Sequence, residues 1–537
     1  MTVDIVCVGA GVASLSATLR LLKRVRQASV KPPHVVILEK GAFVGAHVLS
    51  GAMIDPAPLA DLLDEGERRS MPVESVVRAD GICRLTPRHA LRLPWVPPLM
   101  RARGFPLVSL TKFTRYLAKL CEAAGAEIYT GFSAAELLKD SGRVTGVRVG
   151  DKGIDRNGAH KSNFEAGPHI DAKAVVLGEG ADGVLTEKLV ANSKLAGPNP
   201  QTYAIGIKEL IELPADPKRA GTVLHTFGYP LDNFTYGGGF LYGLNDTQVA
   251  VGLVTALDYR DPALNPHDLF RAFKAHPRIQ RFIAGGKVTG YGAKMLPEGG
   301  YFAVPQLVAD GVMIVGDGAG LLDTLRLKGI HIAIQSGMAA GDTLFECWQK
   351  NDFSLGALQE YPRRFHSMSG WRQMNRVRNV RASFARGTIQ GMIAAGLSVV
   401  TGGLLPAGRR TMERDHAAMK PLAADSRRPD APPFDQALQM DRLSDLYHSG
   451  TRHEEDQPSH LKIPDPAVCC EKCIPTYGAP CTKFCPAQVY NLADDGKSIR
   501  IDFANCLHCG TCEVKDPYRN IEWHLPEGDG GPRYQGM

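Results

Sequence analysis

The sequence predicts a mixed fold, α/β in its first part and α+β overall: a parallel sheet, an antiparallel sheet and a small cysteine-rich module. Three observations predict it. Apolar strands run into glycine turns at residues 4–20, 174–183 and 312–320. The stretch 200–300 is rich in Tyr, Phe and Gly and alternates in polarity, as a half-buried antiparallel sheet does. Of the 12 cysteines, all but Cys7, Cys83, Cys121 and Cys347 lie between Cys469 and Cys512. At 537 residues the chain exceeds one compact core, so two or three domains are expected.

Composition excludes some functions. The chain has 62 Lys+Arg against 56 Asp+Glu, a net charge of +6, and no basic run interleaved with aromatics. That is too weak a field for nucleic acid, and no nucleic-acid partner is expected. Basic residues gather locally in Arg372–Arg386 and Arg409–Arg414, placed to meet an anionic surface. Cysteines crowded into one end of a large chain do not make a disulfide framework. Met1 runs directly into the strand-like Asp4–Val8, leaving no room for a secretory leader. A reducing compartment and metal-ligating cysteines are expected.

The first glycine turn reads DIVCVGAGVASLSATLR at residues 4–20. Gly9 and Gly11 let the backbone turn tightly against a pyrophosphate held on a helix N-terminus. Ser14 stands where the fingerprint has its third glycine, crowding the helix–strand contact. Alone, such a motif is weak. A second strand, Val35–Leu38, ends in Glu39, an acid placed to accept from a ribose hydroxyl. Downstream, Val312–Val315 leads into GDGAG at Gly316–Gly320, which resembles the second FAD motif of glutathione-reductase-type flavoproteins. In that motif Asp317 would hold the ribityl chain. Between them AVVLGEGADG at 174–183 returns to the cofactor through Gly178. Three glycine-ended strands in this order favour FAD over NAD.

Cys506-x2-Cys509-x2-Cys512 lets three thiolates from one loop cap a cubane cluster, with a remote Cys-Pro as fourth ligand. Cys485-Pro486 is that candidate, giving a [4Fe–4S] cluster on Cys485, Cys506, Cys509 and Cys512. Zinc sites present paired cysteines instead. Tyr490 and Thr511 stand near, with hydroxyls placed to bond sulfur and raise the potential. Cys470-x2-Cys473-x7-Cys481-x3-Cys485-Pro486 has the shape of the other half of a two-cluster ferredoxin, but the matching fourth position is Asp516. A degenerate second site on Cys470, Cys473 and Cys481, holding a three-iron or labile four-iron cluster, is one expectation; a relic without cofactor is the other.

Long strings then carry a specific resemblance. Residues 39–52, 200–210, 235–245, 276–300, 450–461, 484–492 and 505–537 resemble the electron-transfer flavoprotein–quinone oxidoreductase family, in a divergent, bacterial-type form. The resemblance implies an enzyme with FAD and a [4Fe–4S] cluster that takes single electrons from reduced electron-transfer flavoprotein. It would deliver two to a membrane quinone, ubiquinone or menaquinone. It assigns Lys40, Ser50, Gly51 and Gly329 to the FAD site, and to Asp323 the flavin-bonding place of an asparagine. It also implies that Gly237 and Gly238 meet a quinone oxygen through their main chain, and His331 is a candidate proton donor. Val12, Ser14, Asp323, Leu325 and Ile330 depart from the family pattern. An anionic Asp323 beside the flavin would lower its potential.

Membrane contact is expected at two segments. Gly387–Gly408 is uncharged but glycine-rich, with Arg386 and Arg409–Arg410 at its ends, which suits interfacial insertion. Leu93–Leu110 gathers Trp95, Leu99, Met100 and Phe105 around Arg101 and Arg103. The resemblance implies a monotopic protein on the bilayer surface, at the cytoplasmic face of a bacterial inner membrane or the equivalent mitochondrial one. The expected organisation is an FAD domain (1–55, 111–198 and 301–360), a quinone- and membrane-facing domain (56–110 and 199–300), a helical segment (361–459) with a linker at Met419–Pro433, and a ferredoxin-like module (460–537). The competing readings are a soluble, geranylgeranyl-reductase-like enzyme acting on an apolar substrate, which the cluster module opposes, and an inactive carrier.

Overall fold

The computed structural model describes residues 1–537 except 52, 182, 425 and 427–430, so parts of the 174–183 turn and of the expected linker lie outside the described residues. Five strands pair in parallel in the order 312–314, 169–177, 2–8, 35–39, 127–130. Ile5, Val6, Val35, Val36, Val175 and Val176 are wholly buried, as strands covered on both faces must be. The helix Val12–Ala28 covers one face and packs along the helix Ile330–Lys350. The two approach closely: a Cβ on Gly337 would lie 2.3 Å from the carbonyl oxygen of Ala13. The hairpin Ala134–Asp140 with Arg143–Val149 joins this sheet where residues 146–148 pair antiparallel with 169–171.

The second sheet runs 287–297, 203–212, 248–256, 237–243, 222–228, 79–85, 90–92. Its pairs are antiparallel except that of Thr222–Gly228 with Ala79–Leu85, which is parallel. The 200–300 region thus forms the expected antiparallel sheet, extended by strands from the earlier insertion.

Two small hairpin-like pairs, 461–462 with 522–523 and 490–492 with 499–501, frame the cysteine-rich module. Its core is continuous with that of the antiparallel sheet. The hydroxyl of Tyr291 donates to the Pro486 carbonyl at 2.9 Å, and Lys515 Nζ donates to the Tyr259 carbonyl at 2.7 Å. The chain end returns to the first domain, where Ser109 Oγ donates to the Met537 carbonyl at 3.3 Å. No helix among the described residues is long and apolar enough to cross a membrane.

Candidate active site and cluster site

The ends of the parallel strands form a cradle. Gly9 takes φ +89°, and a Cβ there would stand 2.6 Å from the Gly178 carbonyl oxygen, so only glycine lets the two strand ends meet this closely. Gly11 caps the helix Val12–Ala28, whose unpaired N-terminal amides face the same space. The Glu39 carboxylate accepts from Ala10 N at 3.0 Å and from Gly41 N at 2.8 Å, which fixes it at the strand end. One cavity of about 680 Å³ is lined by Gly9, Gly11, Glu39, Lys40, Ser50 and Gly51, then by Gly178, Gly316, Asp317 and Gly329. It continues to Gly237 and Gly238 under the antiparallel sheet. Glycine turns, a helix N-terminus and two acids along one elongated cavity fit a dinucleotide flavin.

Ser14, Asp323 and His331 stand elsewhere. Ser14 is wholly buried between helix and sheet, outside the cavity lining. Asp323 was expected beside the flavin as a bare anion. Instead its Oδ1 accepts from Leu325 N at 3.0 Å and Arg326 N at 3.1 Å, closing its own turn. Burial pushes its carboxyl up, and the Arg326 guanidinium only partly opposes that shift, so Asp323 holds a proton more readily than an ordinary aspartate. His331 is buried without lining the cavity, and its Nε2 is paired with Gln373 Oε1 at 2.8 Å. Gly237 and Gly238 are the first residues of a strand rather than a plain turn. A Cβ on Gly238 would stand 2.3 Å from the Thr226 carbonyl oxygen, so packing against the next strand already demands glycine.

Sequence reasoning missed several polar groups of the cavity. Lys208 is buried in a central strand, and its Nζ donates to the Ser50 carbonyl at 2.9 Å. Burial pushes its pKa down to about 7. His225 Nε2 pairs with Tyr242 Oη at 2.7 Å, and burial holds that imidazole neutral, its pKa about 3. The available signal was a lysine inside a strand of apolar residues, AIGIKELIE.

The four predicted cluster ligands, Cys485, Cys506, Cys509 and Cys512, are all buried in one module. Val489 N donates to Cys485 Sγ at 3.5 Å and His508 N to Cys506 Sγ at 3.4 Å. Cys509 Sγ donates to Thr511 Oγ1 at 3.5 Å, and the buried Tyr490 hydroxyl, near Cys512, has no hydrogen-bond partner within the protein. Burial raises the Cys485, Cys506 and Cys512 thiols, Cys485 to about 11, so a bound cation would be what draws off their protons. Among the described residues, only His453, His460 and His508 bring three ligand atoms within 4.8 Å of one another. Of the remaining cysteines, Cys469, Cys473 and Cys481 face one small cavity together with Asp516. Cys470 does not line it; its thiol donates to the Ala467 carbonyl at 3.5 Å. The second group is therefore built on Cys469 rather than Cys470, because the wide π-helical turn Val468–Cys473 sets residues 469 and 473 on the same side.

Comparison with known proteins agrees with this geometry. The profile described as "Electron transfer flavoprotein-ubiquinone oxidoreductase, 4Fe-4S" matches residues 436–535, and "ETF-QO, ubiquinone-binding" matches residues 203–296. The mitochondrial electron transfer flavoprotein-ubiquinone oxidoreductase of Oryza sativa subsp. japonica is 38% identical, covering 100% of this chain and 93% of that protein. The Homo sapiens protein of the same name is 38% identical, covering 99% of this chain and 89% of that protein. Among solved structures, a geranylgeranyl bacteriochlorophyll reductase-like protein from Thermoplasma acidophilum shares the fold at a TM-score of 0.55 and 20% identity, over 72% of this chain and 88% of that one. FAD and a [4Fe–4S] cluster are the cofactors that these residues and matches support together. Matched along its whole length at this identity, the chain belongs to the electron transfer flavoprotein–ubiquinone oxidoreductase family.

Proposed function

We propose that the protein takes single electrons from reduced electron-transfer flavoprotein through its cluster and FAD and delivers them in pairs to a membrane quinone. The observation that carries this reading is the junction between cluster loop and cavity. His508 stands between Cys506 and Cys509; its carbonyl accepts from Lys294 Nζ at 3.3 Å, and its ring meets that of His47 at 5.2 Å. Lys294 and His47 both line the cavity. The cluster loop and the flavin cavity thus share a wall.

Bound FAD supplies the exchange between one-electron and two-electron chemistry. The chain's own residues do the rest. Gly9, Gly11 and the helix N-terminus hold the pyrophosphate, Glu39 the adenosine ribose and Asp317 the ribityl chain, with Lys40, Ser50, Gly51, Gly178, Gly316 and Gly329 completing the cradle. Gly237 and Gly238 offer main chain at the far end, where a quinone oxygen would lie. A quinone gains two protons as it becomes a quinol, and Lys208, with a pKa about 7, exchanges one at Nζ near neutral pH. His331, the donor expected from the sequence, does not line the cavity and its Nε2 is paired with Gln373, which leaves Lys208 as the group placed for that role.

The cavity mouth lies between the two apolar segments. Trp95, Leu99 and Met100 line one side, Met392, Val399 and Val400 the other. The helix Thr388–Val400 turns Ile389, Ile393 and Val400 outward, at 70%, 60% and 85% exposure. Arg386 and Arg409, which flank the Gly387–Gly408 segment that holds this helix, are exposed. This supports a monotopic seat in one leaflet, with quinone entering from the lipid, at the cytoplasmic face of a bacterial inner membrane or its mitochondrial equivalent.

An anaerobic assay with reduced electron-transfer flavoprotein and a short-chain quinone tests the reaction. Quinol should form at one per two electrons delivered; no quinol from FAD- and cluster-replete protein would overturn it. Flotation with anionic liposomes tests the membrane seat, and protein left at the bottom of the gradient would refute it.

A further inference from the structure

The cysteine-rich module is built twice over. The short helix Cys481–Phe484 ends at Cys485-Pro486, and the short helix Thr511–Lys515 ends at Asp516-Pro517. The two helices pack against each other. Cys485, at the end of the first, joins the cysteines of the second half. Asp516, at the end of the second, joins Cys469, Cys473 and Cys481 of the first half around one cavity. Each half therefore lends one side chain to the other.

The second group has the makings of a site. Cys473, Cys481 and Asp516 are buried to 7%, 6% and 5% exposure. Ile463, Val468, Ile499 and Ile521 close the cavity with apolar surface. Asn520 ties the donors together: its main-chain N donates to Asp516 Oδ2 at 2.5 Å, and its Nδ2 lies 3.8 Å from Cys469 Sγ. Zinc sites present paired cysteines, whereas here each half of the module lends one side chain to the other, as the two halves of a two-cluster ferredoxin do.

We propose that Cys469, Cys473 and Cys481 hold a second iron–sulfur cluster, with the Asp516 carboxylate as its weak fourth ligand. Three soft thiolates secure three irons, whereas a hard carboxylate holds the fourth iron loosely. The resting form is then a three-iron cluster, which in its one-electron-reduced state, [3Fe–4S]0, takes up Fe2+ to give [4Fe–4S]2+ and releases it again without net electron transfer. This second site is independent of the quinone reaction, and its test does not use turnover.

The experiment is iron, zinc and acid-labile sulfide analysis per FAD on the full-length protein purified without oxygen, with electron paramagnetic resonance before and after dithionite. About seven irons per FAD are expected, with an oxidised three-iron signal beside the reduced four-iron one. Cys469→Ser and Cys481→Ser should each lose about three irons and the oxidised signal while keeping FAD and the four-iron signal. Cys470→Ser should change neither. Asp516→Cys should replace the oxidised signal with a second reduced-cluster signal coupled to the first, a gain that misfolding cannot produce. Four irons per FAD with unchanged spectra in the variants, stoichiometric zinc, or loss of the signal in Cys470→Ser but not Cys469→Ser would each overturn the proposal.

Discussion

The hydroxyl of Ser14 occupies the space that a side chain on Gly178 would need: a Cβ built at Gly178 stands 2.1 Å from Ser14 Oγ. The glycine missing from the first fingerprint is thus offset across the helix–strand contact. Gly178 cannot give way by moving, because its N–H donates to the Val8 carbonyl at 2.9 Å in the sheet.

Gly178→Ala should therefore destabilise the FAD domain by about 1–3 kcal/mol through overpacking and lower the FAD content of the purified protein. Ser14→Gly should be nearly neutral alone and should restore most of the loss in the double variant. Thermal unfolding of the four proteins forms a double-mutant cycle. Additive effects would show that the two positions do not share this space.

The parallel sheet was legible because buried strands are continuous apolar runs and glycine marks their ends; Gly9, Gly178 and Gly316 all lie where those runs stop. The four cysteines that spacing picked as cluster ligands are all buried in one module. Position along the chain did not show which side chain faces the cavity. Asp323 and His331 follow cavity-lining residues in sequence but are claimed by Arg326 and Gln373. Adjacent Cys469 and Cys470 look equivalent until a π-helical turn selects one. Lys208 was missed because a strand pattern reports burial, and a buried lysine reads as an exception until its partner is seen.

Lys208 gives a pH signature of stability. Its folded pKa, about 7, lies below the ordinary lysine value of about 10.4. Below pH 7 both folded and unfolded states carry the proton and the burial penalty is complete. Between pH 7 and about 10 the unfolded state binds more protons, so stability rises with pH. In Lys208→Met this contribution disappears. The difference in unfolding free energy between the two proteins should change by up to about 1.4 kcal/mol per pH unit across that window. Denaturant titrations at four pH values measure it, and parallel curves would refute a lowered lysine.

The exposed helix Thr388–Val400 should govern membrane binding. Burying an aliphatic side chain in lipid is worth about 1.5–3 kcal/mol, so Ile393→Asp with Val400→Asp should weaken liposome binding by about 100-fold or more. Both side chains are largely exposed, at 60% and 85%, so folding and FAD content should be unchanged. Flotation measures the first expectation and absorbance the second. Undiminished flotation would place the lipid contact elsewhere.

Tyr490 should tune the cluster. Its buried hydroxyl lies near Cys512 without a hydrogen-bond partner within the protein, and burial pushes its proton affinity well up, so it stays a donor available to the cluster sulfur. An O–H···S bond favours the more negative, reduced cluster. Tyr490→Phe removes the donor while keeping the ring in the core. A net bond of about 1 kcal/mol corresponds to a fall in the cluster potential of about 40 mV. The flavin should be little affected, since the main-chain donors to Cys485 and Cys506 remain and the shared wall at His508 is untouched. A potentiometric titration followed by electron paramagnetic resonance reads both centres in one experiment. If the flavin potential moved by as much as that of the cluster, the effect would be a general loosening of the module; an unchanged cluster potential would mean that the hydroxyl does not reach sulfur.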